Sequence, residues 1–334
     1  MAEPPLFAAA FLNAIEEPAL IVREQRTVAA NRAARALLGE ALVGRDLRLT
    51  IRHPLALELI LSAGEADIDL VGIGSAERPW HLSVRPLPDG AALVRLTDRS
   101  ALQAAERMRT DFVANASHEL RTPLATIIGF AETLAEDSAI DDPLRRRFGT
   151  TIHGEAQRML RIVEDLMSLS RIEADRFNPP GEMVDLAKVV RRAIEHAQPL
   201  LEQRRCTIET AIEHALPLVR GDAGQLLQLA DNLIGNALRY GCTGQHCAVH
   251  VEVRRDGQRA LLVVRDEGEG IAAEHIPRLT ERFYRVDAAR SRDSGGTGLG
   301  LAIVKHIVER HRGTLDIRSS PGAGTAVTVA IPLS

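Results

Sequence analysis

The chain has 334 residues, a formal net charge of −4 at pH 7 and only 3% aromatic residues. This length exceeds one ordinary core and predicts two or three domains, with cores built from Leu, Ile, Val and Ala. The charge and the scattered arginines argue against direct DNA binding. The cysteines, Cys206, Cys242 and Cys247, form no disulfide framework, and no apolar run reaches the roughly 18 residues that span a bilayer. We therefore expect a cytoplasmic protein.

Residues 1–97 predict a small α+β domain. Short strand-like runs (ALIVRE, WHLSVRPL and AALVRLTD) occur together with a helical stretch, NRAARALLG, and a Pro-Asp-Gly turn at 88–90. The pattern changes at about Asp98, where helical periodicity begins.

Residues 98–178 predict a helical hairpin. The first helix continues for roughly forty residues and is interrupted only by Pro123; a second follows the turn at 141–143 and extends to about Arg176. In both helices apolar residues recur at spacings of three, four and seven. An isolated hairpin of this kind leaves half of its apolar stripe in water, so we expect two copies to form a four-helix bundle. The sequence thus predicts a homodimer.

Residues 183–334, after the linker Asn178–Gly181, predict an α/β sandwich. Helices are expected at 185–204, 222–240 and 299–311, and strands at 206–212, 248–254, 260–265, 314–318 and 325–331. The predicted fold class is therefore multidomain α+β.

The helix QLADNLIGNALRY (228–240) places Asn232, Asn236 and Arg239 or Tyr240 about one turn apart on one face. Amides on an apolar helix are costly to bury without partners. A carboxamide oxygen could bind Mg²⁺, and the arginine could contact phosphate. Solvated asparagines near a helix end are the alternative interpretation.

Three further stretches follow in the same region. Asp266 in DEGEGI ends a strand before two glycines and could accept a hydrogen bond from an adenine amino group, although a plain turn explains it equally well. GGTGLGL (295–301) opens a helix whose N–H groups could cradle phosphate, after a polar stretch at 285–294 interpreted as a mobile lid. In GAGT, at the start of the last strand, the Thr325 hydroxyl could reach the base.

In this order and context, the four stretches resemble the Bergerat-type ATPase domain over about residues 183–334. The chain contains no Walker GxxxxGK[ST] sequence, and the glycine motif does not follow the first strand of a βαβ unit, which excludes a Rossmann site. Upstream, NASHELRTPL (115–124) resembles the phosphoacceptor motif of bacterial sensor histidine kinases. The order of modules agrees with that family.

This resemblance implies that His118 is the nucleophile toward the γ-phosphate of ATP and that Glu119 orients it or accepts its proton. It implies a Mg²⁺ ligand in Asn236. It assigns phosphate contacts to Asn232, Arg239 and Tyr240, adenine recognition to Asp266 with Gly268 and Gly270, and lid roles to Arg282, Phe283, Tyr284, Arg285, Gly296, Gly298 and Gly300. All of these except Tyr284, together with Thr297, Leu299 and Thr325, are predicted to bind the nucleotide.

The implied activity is autophosphorylation followed by transfer to an aspartate of a response regulator. A non-catalytic nucleotide-binding scaffold with the same fold is the alternative; intact His118, Glu119, Asn236 and Asp266 favour the enzyme. Sensor kinases of this type often have a Glu-x-x-Thr step, which gives Thr122 a role in dephosphorylating the regulator. Alternatively, Thr122 simply suits the restricted backbone before Pro123, which should bend the helix.

The sequence departs from the family pattern in three places: Arg239 replaces a common lysine, Thr280 a lid phenylalanine, and Arg312 a glycine pair. The Thr280 and Arg312 departures leave the packing of the lid and the form of the final turn unpredicted, whereas the predicted activity is unaffected.

The N-terminal domain resembles a PAS sensor domain, in which only His53 and His81 are haem candidates; ligand-free packing is the preferred interpretation. A cluster of Cys242, His246, Cys247 and His250 has roughly metal-like spacing, although chance clustering in a loop is the preferred explanation.

With its PAS-like domain, the chain most resembles phosphate-regulon sensor kinases. Those usually begin with transmembrane helices, whereas this chain begins MAEPPLF, so we expect a soluble variant or an anchor outside this chain.

Overall fold

The computed structural model describes residues 6–62, 64–74, 78–136, 140–175, 178–242, 248–287 and 296–334. The chain divides into two compact units, Met1–Val113 and Ala114–Ser334. The predicted hairpin lies mostly in the same unit as the α/β region, so the three-domain division stays a prediction. Within the described ranges, no helix has both the length and the apolar character that crossing a membrane requires.

The N-terminal unit is built on an antiparallel sheet with short helices. In chain order its elements are α1 (Leu6–Asn13), β1 (Ala19–Arg23), β2 (Arg26–Ala30), α2 (Arg32–Leu38), α3 (Leu47–Thr50), α4 (Pro54–Leu61), β3 (Ala66–Val71), β4 (Pro79–Pro86) and β5 (Ala91–Asp98). The strand order is β2-β1-β5-β4-β3, with every neighbouring pair antiparallel. The strand-like runs of the sequence thus form one sheet.

The core of this unit is mostly aliphatic, with Leu20 and Leu82 fully buried and Trp80 3% exposed. Asn31 is buried among these side chains, where an unpaired amide would be costly. Its Nδ2 donates to the backbone oxygens of Ile15 (2.8 Å) and Glu17 (2.7 Å), and its Oδ1 caps α2. Because these polar atoms are paired, Asn31 fixes the start of α2 against the segment before β1.

Two long helices, α5 (Ser100–Glu136) and α6 (Asp142–Ala174), form the predicted hairpin. Asp141 caps α6 by accepting from the Leu144 N–H at 2.9 Å. The helix α5 continues through Pro123, whose missing N–H leaves the carbonyl of Glu119 without its usual helical donor. A bend at this point stays a prediction.

The α/β half completes the C-terminal unit. Its elements are β6 (Glu182–Val184), α7 (Leu186–Arg204), β7 (Thr207–Ile212), β8 (Val219–Gly221), α8 (Ala223–Asn236), β9 (Ala248–Asp256), β10 (Arg259–Asp266), α9 (Gly300–Arg310), β11 (Thr314–Ser319) and β12 (Thr325–Pro332). The main sheet has the order β11-β12-β10-β9-β7, in which β7 and β9 are parallel and the other neighbours antiparallel.

The helices cover one face of this sheet with their apolar sides. α7 and α9 both pack on α8, and α6 of the hairpin packs on α9. Leu229 and Ile303 are fully buried in this layer. The multidomain α+β class with a helix-and-sheet sandwich is therefore confirmed.

Two features of the α/β half were not predicted. The strands β6 and β8 pair in a separate small sheet. The helix α8 ends at Asn236, before the predicted residue 240, because Ala237–Gly241 forms a wider π-helical turn. This turn contains Arg239 and Tyr240.

Candidate functional site

A cavity of about 840 Å³ in the C-terminal unit brings the four predicted stretches together. Its lining includes Asn232, Asn236, Arg239, Tyr240, Asp266, Gly270, Tyr284, Arg285, Gly296, Thr297, Gly298, Gly300 and Thr325. Most of the predicted nucleotide residues therefore surround one space. Three residues of the hairpin helix α6 also line it.

The asparagine helix meets the glycine-rich helix start at Gly300. A methyl group added there would lie 3.0 Å from Asn232 Oδ1 and 3.8 Å from Asn236 Nδ2. A glycine at the first position of α9 therefore allows both asparagines to approach this helix end. Their amides are half-buried against a helix N-terminus, a surrounding that suits binding of an anion together with a cation.

Arg239 and Tyr240 reach the cavity from the π-helical turn. Burial lowers the pKa of Arg239, and the positive charge of Arg161 acts in the same direction. An arginine remains charged at neutral pH even so, because its ordinary pKa lies far above that range. Arg239 is thus a partly desolvated cation at the cavity wall, whereas Tyr240 is exposed.

Asp266 ends β10 and is 8% exposed. Its Oδ1 accepts from the Gly268 N–H at 3.0 Å and from the Thr325 N–H at 3.2 Å. Burial raises the pKa of Asp266, and these two bonds oppose that rise. Both described bonds use Oδ1, so Oδ2 is available to a donor in the cavity.

Close backbone packing surrounds this aspartate. A methyl group at Gly241 would overlap the Asp266 side chain, and one at Gly270 would overlap the Ser320 carbonyl. A methyl group added at Gly268 would lie 2.6 Å from the Gly241 Cα atom. These three positions therefore have room only for glycine, whether or not they contact a ligand.

The glycine-rich segment is tied to the segment before the predicted lid. Gly298 has φ +73°, and its carbonyl accepts from the Phe283 N–H at 2.8 Å. Thr297 is 9% exposed, and its hydroxyl accepts from the Leu299 N–H at 3.3 Å. The Leu299 side chain is buried, so any nucleotide contact by this residue would use its backbone.

The predicted lid is described only up to Asp287, because residues 288–295 lie outside the described part of the chain. Before it, Arg282 pairs with Glu173 of α6. The Tyr284 hydroxyl lies 2.7 Å from His275 Nδ1, and the Arg278 guanidinium stacks 4.2 Å from the Tyr284 ring centre. Arg282 is thus held against α6, and Tyr284 is held against His275 and Arg278.

On the hairpin, His118 and Thr122 are exposed on α5. The Thr122 hydroxyl donates to the His118 carbonyl at 3.4 Å, as serine and threonine often do within helices. Glu119 accepts through Oε2 from Arg158 at 3.1 Å and from Arg285 at 2.9 Å. Glu119 thus links α5 to both α6 and the cavity.

The sequence interpretation missed the charged residues of α6 that take part in these contacts. Arg158, Asp165 and Glu173 lie on a helix whose apolar spacing alone was used for prediction. Arg158 is 6% exposed and pairs with Glu119, but local spacing in the sequence carries no signal for that burial.

The other candidate ligands have structural partners. His53 Nδ1 caps α4, and His81 Nδ1 lies 2.6 Å from Asp69. Of the proposed zinc cluster, His246 and Cys247 lie outside the described residues, Cys242 is buried and His250 pairs with Glu209 at 3.1 Å. Within the described ranges, no group of His, Cys, Asp and Glu is arranged to hold a metal ion.

Two family comparisons agree with this geometry. Residues 108–175 match the His Kinase A (phospho-acceptor) domain. Residues 221–334 match the histidine kinase-, DNA gyrase B- and HSP90-like ATPase. The first contains His118, and the second contains the cavity residues of the α/β half from Asp231 onward.

Relatives with similar sequences are sensor kinases. The chain is 39% identical over 249 residues to the phosphate regulon sensor protein PhoR of Pseudomonas aeruginosa, covering 75% of this chain and 55% of PhoR. It is 37% identical over 241 residues to the sensor-like histidine kinase SenX3 of Mycolicibacterium smegmatis, covering 72% of this chain and 62% of SenX3. The chain therefore spans somewhat more than half the length of these curated relatives.

A solved structure supports the same assignment. The Acinetobacter baumannii histidine kinase AdeS superposes with a TM-score of 0.53 at 26% identity, covering 65% of this chain and 98% of that one. Together with the two domain matches, this places the chain in the sensor histidine kinase family. The resemblance predicted from NASHELRTPL and the four cavity stretches is confirmed.

Proposed function

We propose that this chain is an ATP-dependent protein-histidine kinase that phosphorylates His118 and passes the phosphoryl group to an aspartate of a response regulator. The cavity is the observation that carries the proposal. It combines the asparagine helix, Asp266 and the start of α9 in the same unit as the phosphoacceptor helix. A family resemblance alone would not require these residues to converge.

The cavity chemistry suits ATP. The available Oδ2 of Asp266 would accept from the adenine amino group, and the N–H groups at the start of α9 would bind phosphate oxygens. The carboxamide oxygen of Asn236 is a hard ligand that fits Mg²⁺, and Asn236 lies beside that helix start. Bound Mg²⁺ would neutralise phosphate charge during transfer.

The reaction requires one proton acceptor and one nucleophile from the hairpin. A ring nitrogen of His118 forms a bond to the γ-phosphorus, the bond from that phosphorus to the bridging oxygen breaks, and ADP leaves. Glu119, the next residue, accepts the proton displaced from the ring. In the second step the nitrogen–phosphorus bond breaks as a regulator carboxylate oxygen takes the phosphoryl group. The exposure of His118 suits access by a second protein.

A homodimer is supported by the apolar surface of the hairpin. Leu124, Ile128, Leu160, Val163 and Met167 are between 40% and 58% exposed in the single chain. Apolar residues at helical spacing on two long helices suit coverage by a second copy of the same hairpin. The molar mass in solution, measured by light scattering, tests this part of the proposal; a monomer at micromolar concentration would contradict it.

The N-terminal unit is proposed to be a PAS-like sensor domain. Its support is the antiparallel sheet with short helices and a buried, mostly aliphatic core. His53 and His81 already have protein partners, which favours signalling through packing over haem binding.

Labelling with γ-labelled ATP and Mg²⁺ tests the kinase activity. We expect acid-labile, alkali-stable label on the wild-type protein, as a phosphohistidine requires. His118→Gln should lose the label and still bind ATP, because the cavity is built without His118. Binding of ATP without any wild-type label would favour the nucleotide-binding scaffold, and normal labelling of His118→Gln would place the acceptor elsewhere.

A further inference from the structure

The helix α6 places a carboxylate inside the candidate nucleotide cavity. Arg161, Glu164 and Asp165 line it from the hairpin side. The Thr297 hydroxyl donates to Asp165 Oδ2 at 2.7 Å, although the two residues are 132 positions apart. Thr297 belongs to the glycine-rich segment, where phosphate is expected.

The Asp165 carboxylate lies among groups that are predicted to bind phosphate. Burial raises the pKa of Asp165, whereas the Thr297 hydrogen bond and the positive charge of Arg239 lower it. Both of these partners are residues that the sequence assigns to the nucleotide. The carboxylate therefore uses groups that would otherwise serve phosphate oxygens.

Two more hairpin carboxylates pair with predicted nucleotide residues. Glu119 accepts from Arg285 at 2.9 Å, and the same guanidinium donates to the Gly296 carbonyl at 2.7 Å. The Arg285 side chain is 7% exposed, so water screens this pair weakly. Farther along α6, Glu173 pairs with Arg282. Asp165 is thus one of three hairpin carboxylates, with Glu119 and Glu173, that pair with residues predicted to bind the nucleotide.

We propose that Asp165 is an internal competitor of the nucleotide phosphates and that this docked hairpin is an autoinhibited arrangement. The inference rests on the proposed ATP site. Two anions cannot share Thr297 and Arg239 without strong repulsion, because the cavity wall is partly desolvated. ATP binding and withdrawal of α6 are therefore coupled: whatever moves α6 raises the affinity for ATP, and ATP favours the withdrawn hairpin.

The charge of Asp165 can be removed with little change of shape. Asp165→Asn keeps the size, and its amide oxygen can still accept from Thr297. We expect the affinity of the full chain for ATP in the presence of Mg²⁺ to increase about tenfold. The gain for ADP should be smaller and that for adenosine absent, since adenosine has no phosphate for the carboxylate to repel. Titration calorimetry with the three ligands provides the comparison.

Glu132→Gln is the matched control, because it removes one negative charge from an exposed position of the same hairpin. It should leave all three affinities unchanged. If Asp165→Asn does not fold, Asp165→Ala provides a second neutral variant with the same expectation for ATP and adenosine.

Each result decides between the alternatives. An unchanged ATP affinity in the neutral variant overturns the competitor role, and an equal gain for adenosine and ATP shows that the substitution merely loosens the hairpin. If the wild type binds adenosine and ATP equally, the cavity does not recognise phosphate, and both proposals fall. If the wild type prefers ATP and the neutral variant does not improve, only the competitor role is lost.

Discussion

The face of the hairpin around His118 and the cavity of the α/β half place their candidate functional residues in opposite surroundings. His118 and Thr122 are exposed on one helix. Asp266 and Thr297 are 8% and 9% exposed and are bonded to the backbone around them. Residues that take part in packing contribute to folding as well as to chemistry, whereas exposed ones contribute to chemistry alone. Substitutions should therefore separate function from stability on the hairpin and couple the two in the cavity.

The largest loss of stability is expected for Gly270→Ala. The residue has φ +69°, and its added methyl group would overlap the Ser320 carbonyl, a backbone atom that cannot move independently. We expect the free energy of unfolding of the C-terminal unit to fall by about 3 kcal/mol or more, with loss of ATP binding. Urea denaturation and nucleotide titration measure the two effects.

Gly257→Ala is the control for this prediction. Gly257 has φ +57° but open space around it, so its substitution should cost only about 1 kcal/mol. Equal losses for the two variants would show that backbone conformation, and not crowding at the cavity, determines the cost.

Asp266→Ala should have the next largest effect. It removes the acceptor of the Gly268 and Thr325 N–H groups, which costs about 1–3 kcal/mol when the donors stay buried. ATP binding and labelling of His118 should be lost together. Asp316→Ala, at an exposed position where the side chain pairs with Arg318, should change stability by less than about 0.5 kcal/mol. Normal ATP binding by Asp266→Ala would show that the adenine assignment is wrong.

A pH effect of intermediate size is expected at His311. Burial lowers its pKa, and its Nε2 accepts from the Asp222 N–H at 3.0 Å while Nδ1 donates to the Ile307 carbonyl at 2.8 Å. Because the folded pKa lies below the unfolded value of 6.5, the unfolded chain binds more protons as the pH falls through that value. The stability from neutral His311 is therefore complete above pH 6.5 and decreases below it.

The decrease attributable to His311 between pH 7 and pH 5 should be about 1 kcal/mol. Other groups titrate over this range, so the measurement is the difference between wild type and His311→Gln in urea denaturation at each pH. The variant should show a shallower decrease, with His214→Gln at an exposed position as control. Identical pH dependence in His311→Gln and wild type would contradict the prediction.

The smallest effect on stability, less than about 0.5 kcal/mol, is expected for Thr122→Ala, because this residue is exposed. Its effect on function should be large. A hydroxyl one turn from His118 could position water for attack on a regulator phospho-aspartate, and it is not needed to make His118 nucleophilic. The variant should keep autophosphorylation and lose most dephosphorylation of the regulator.

A time course of phospho-regulator decay with ADP and Mg²⁺ measures this loss. Thr126→Ala is the matched control, since its hydroxyl makes the same kind of bond to a carbonyl one turn earlier, at 3.2 Å. Decay as fast as with the wild type would leave Thr122 as a residue that merely suits the helix before Pro123.

Periodicity predicted the long elements of the fold. The boundaries of α7 and β10 lie within about one residue of the predicted ones. The agreement is close because the pattern of polar and apolar residues changes at the ends of both elements. Strands of three residues, such as β6 and β8, are too short to show a period. The π-helical turn at Ala237–Gly241 retains helical composition, so nothing in the residue types marks the end of α8 at Asn236.

The candidate site was predicted as far as its motifs extend. Asp266 and Thr325 are directly opposed in the register of β10 and β12, which agrees with the expectation that both approach the base. The pairs Asp165–Thr297 and Glu119–Arg285 could not be predicted, because a charged residue on a helix has the same local pattern whether it faces water or another element. The packing of α6 on α9 decides the difference.

The position of β12 in the sheet has a consequence for biosynthesis. It follows β11 in the chain, yet it lies between β10 and β11 in the sheet and supplies the Thr325 N–H to Asp266. Since a chain leaves the ribosome from its N-terminus, Asn232, Asp266 and the start of α9 emerge before the strand that joins them. Until β12 is inserted, β10 presents an open edge of the kind that pairs with other chains. A nascent chain of this protein thus passes through a stage in which the Thr325 bond to Asp266 is not yet made and the edge of β10 is unpaired.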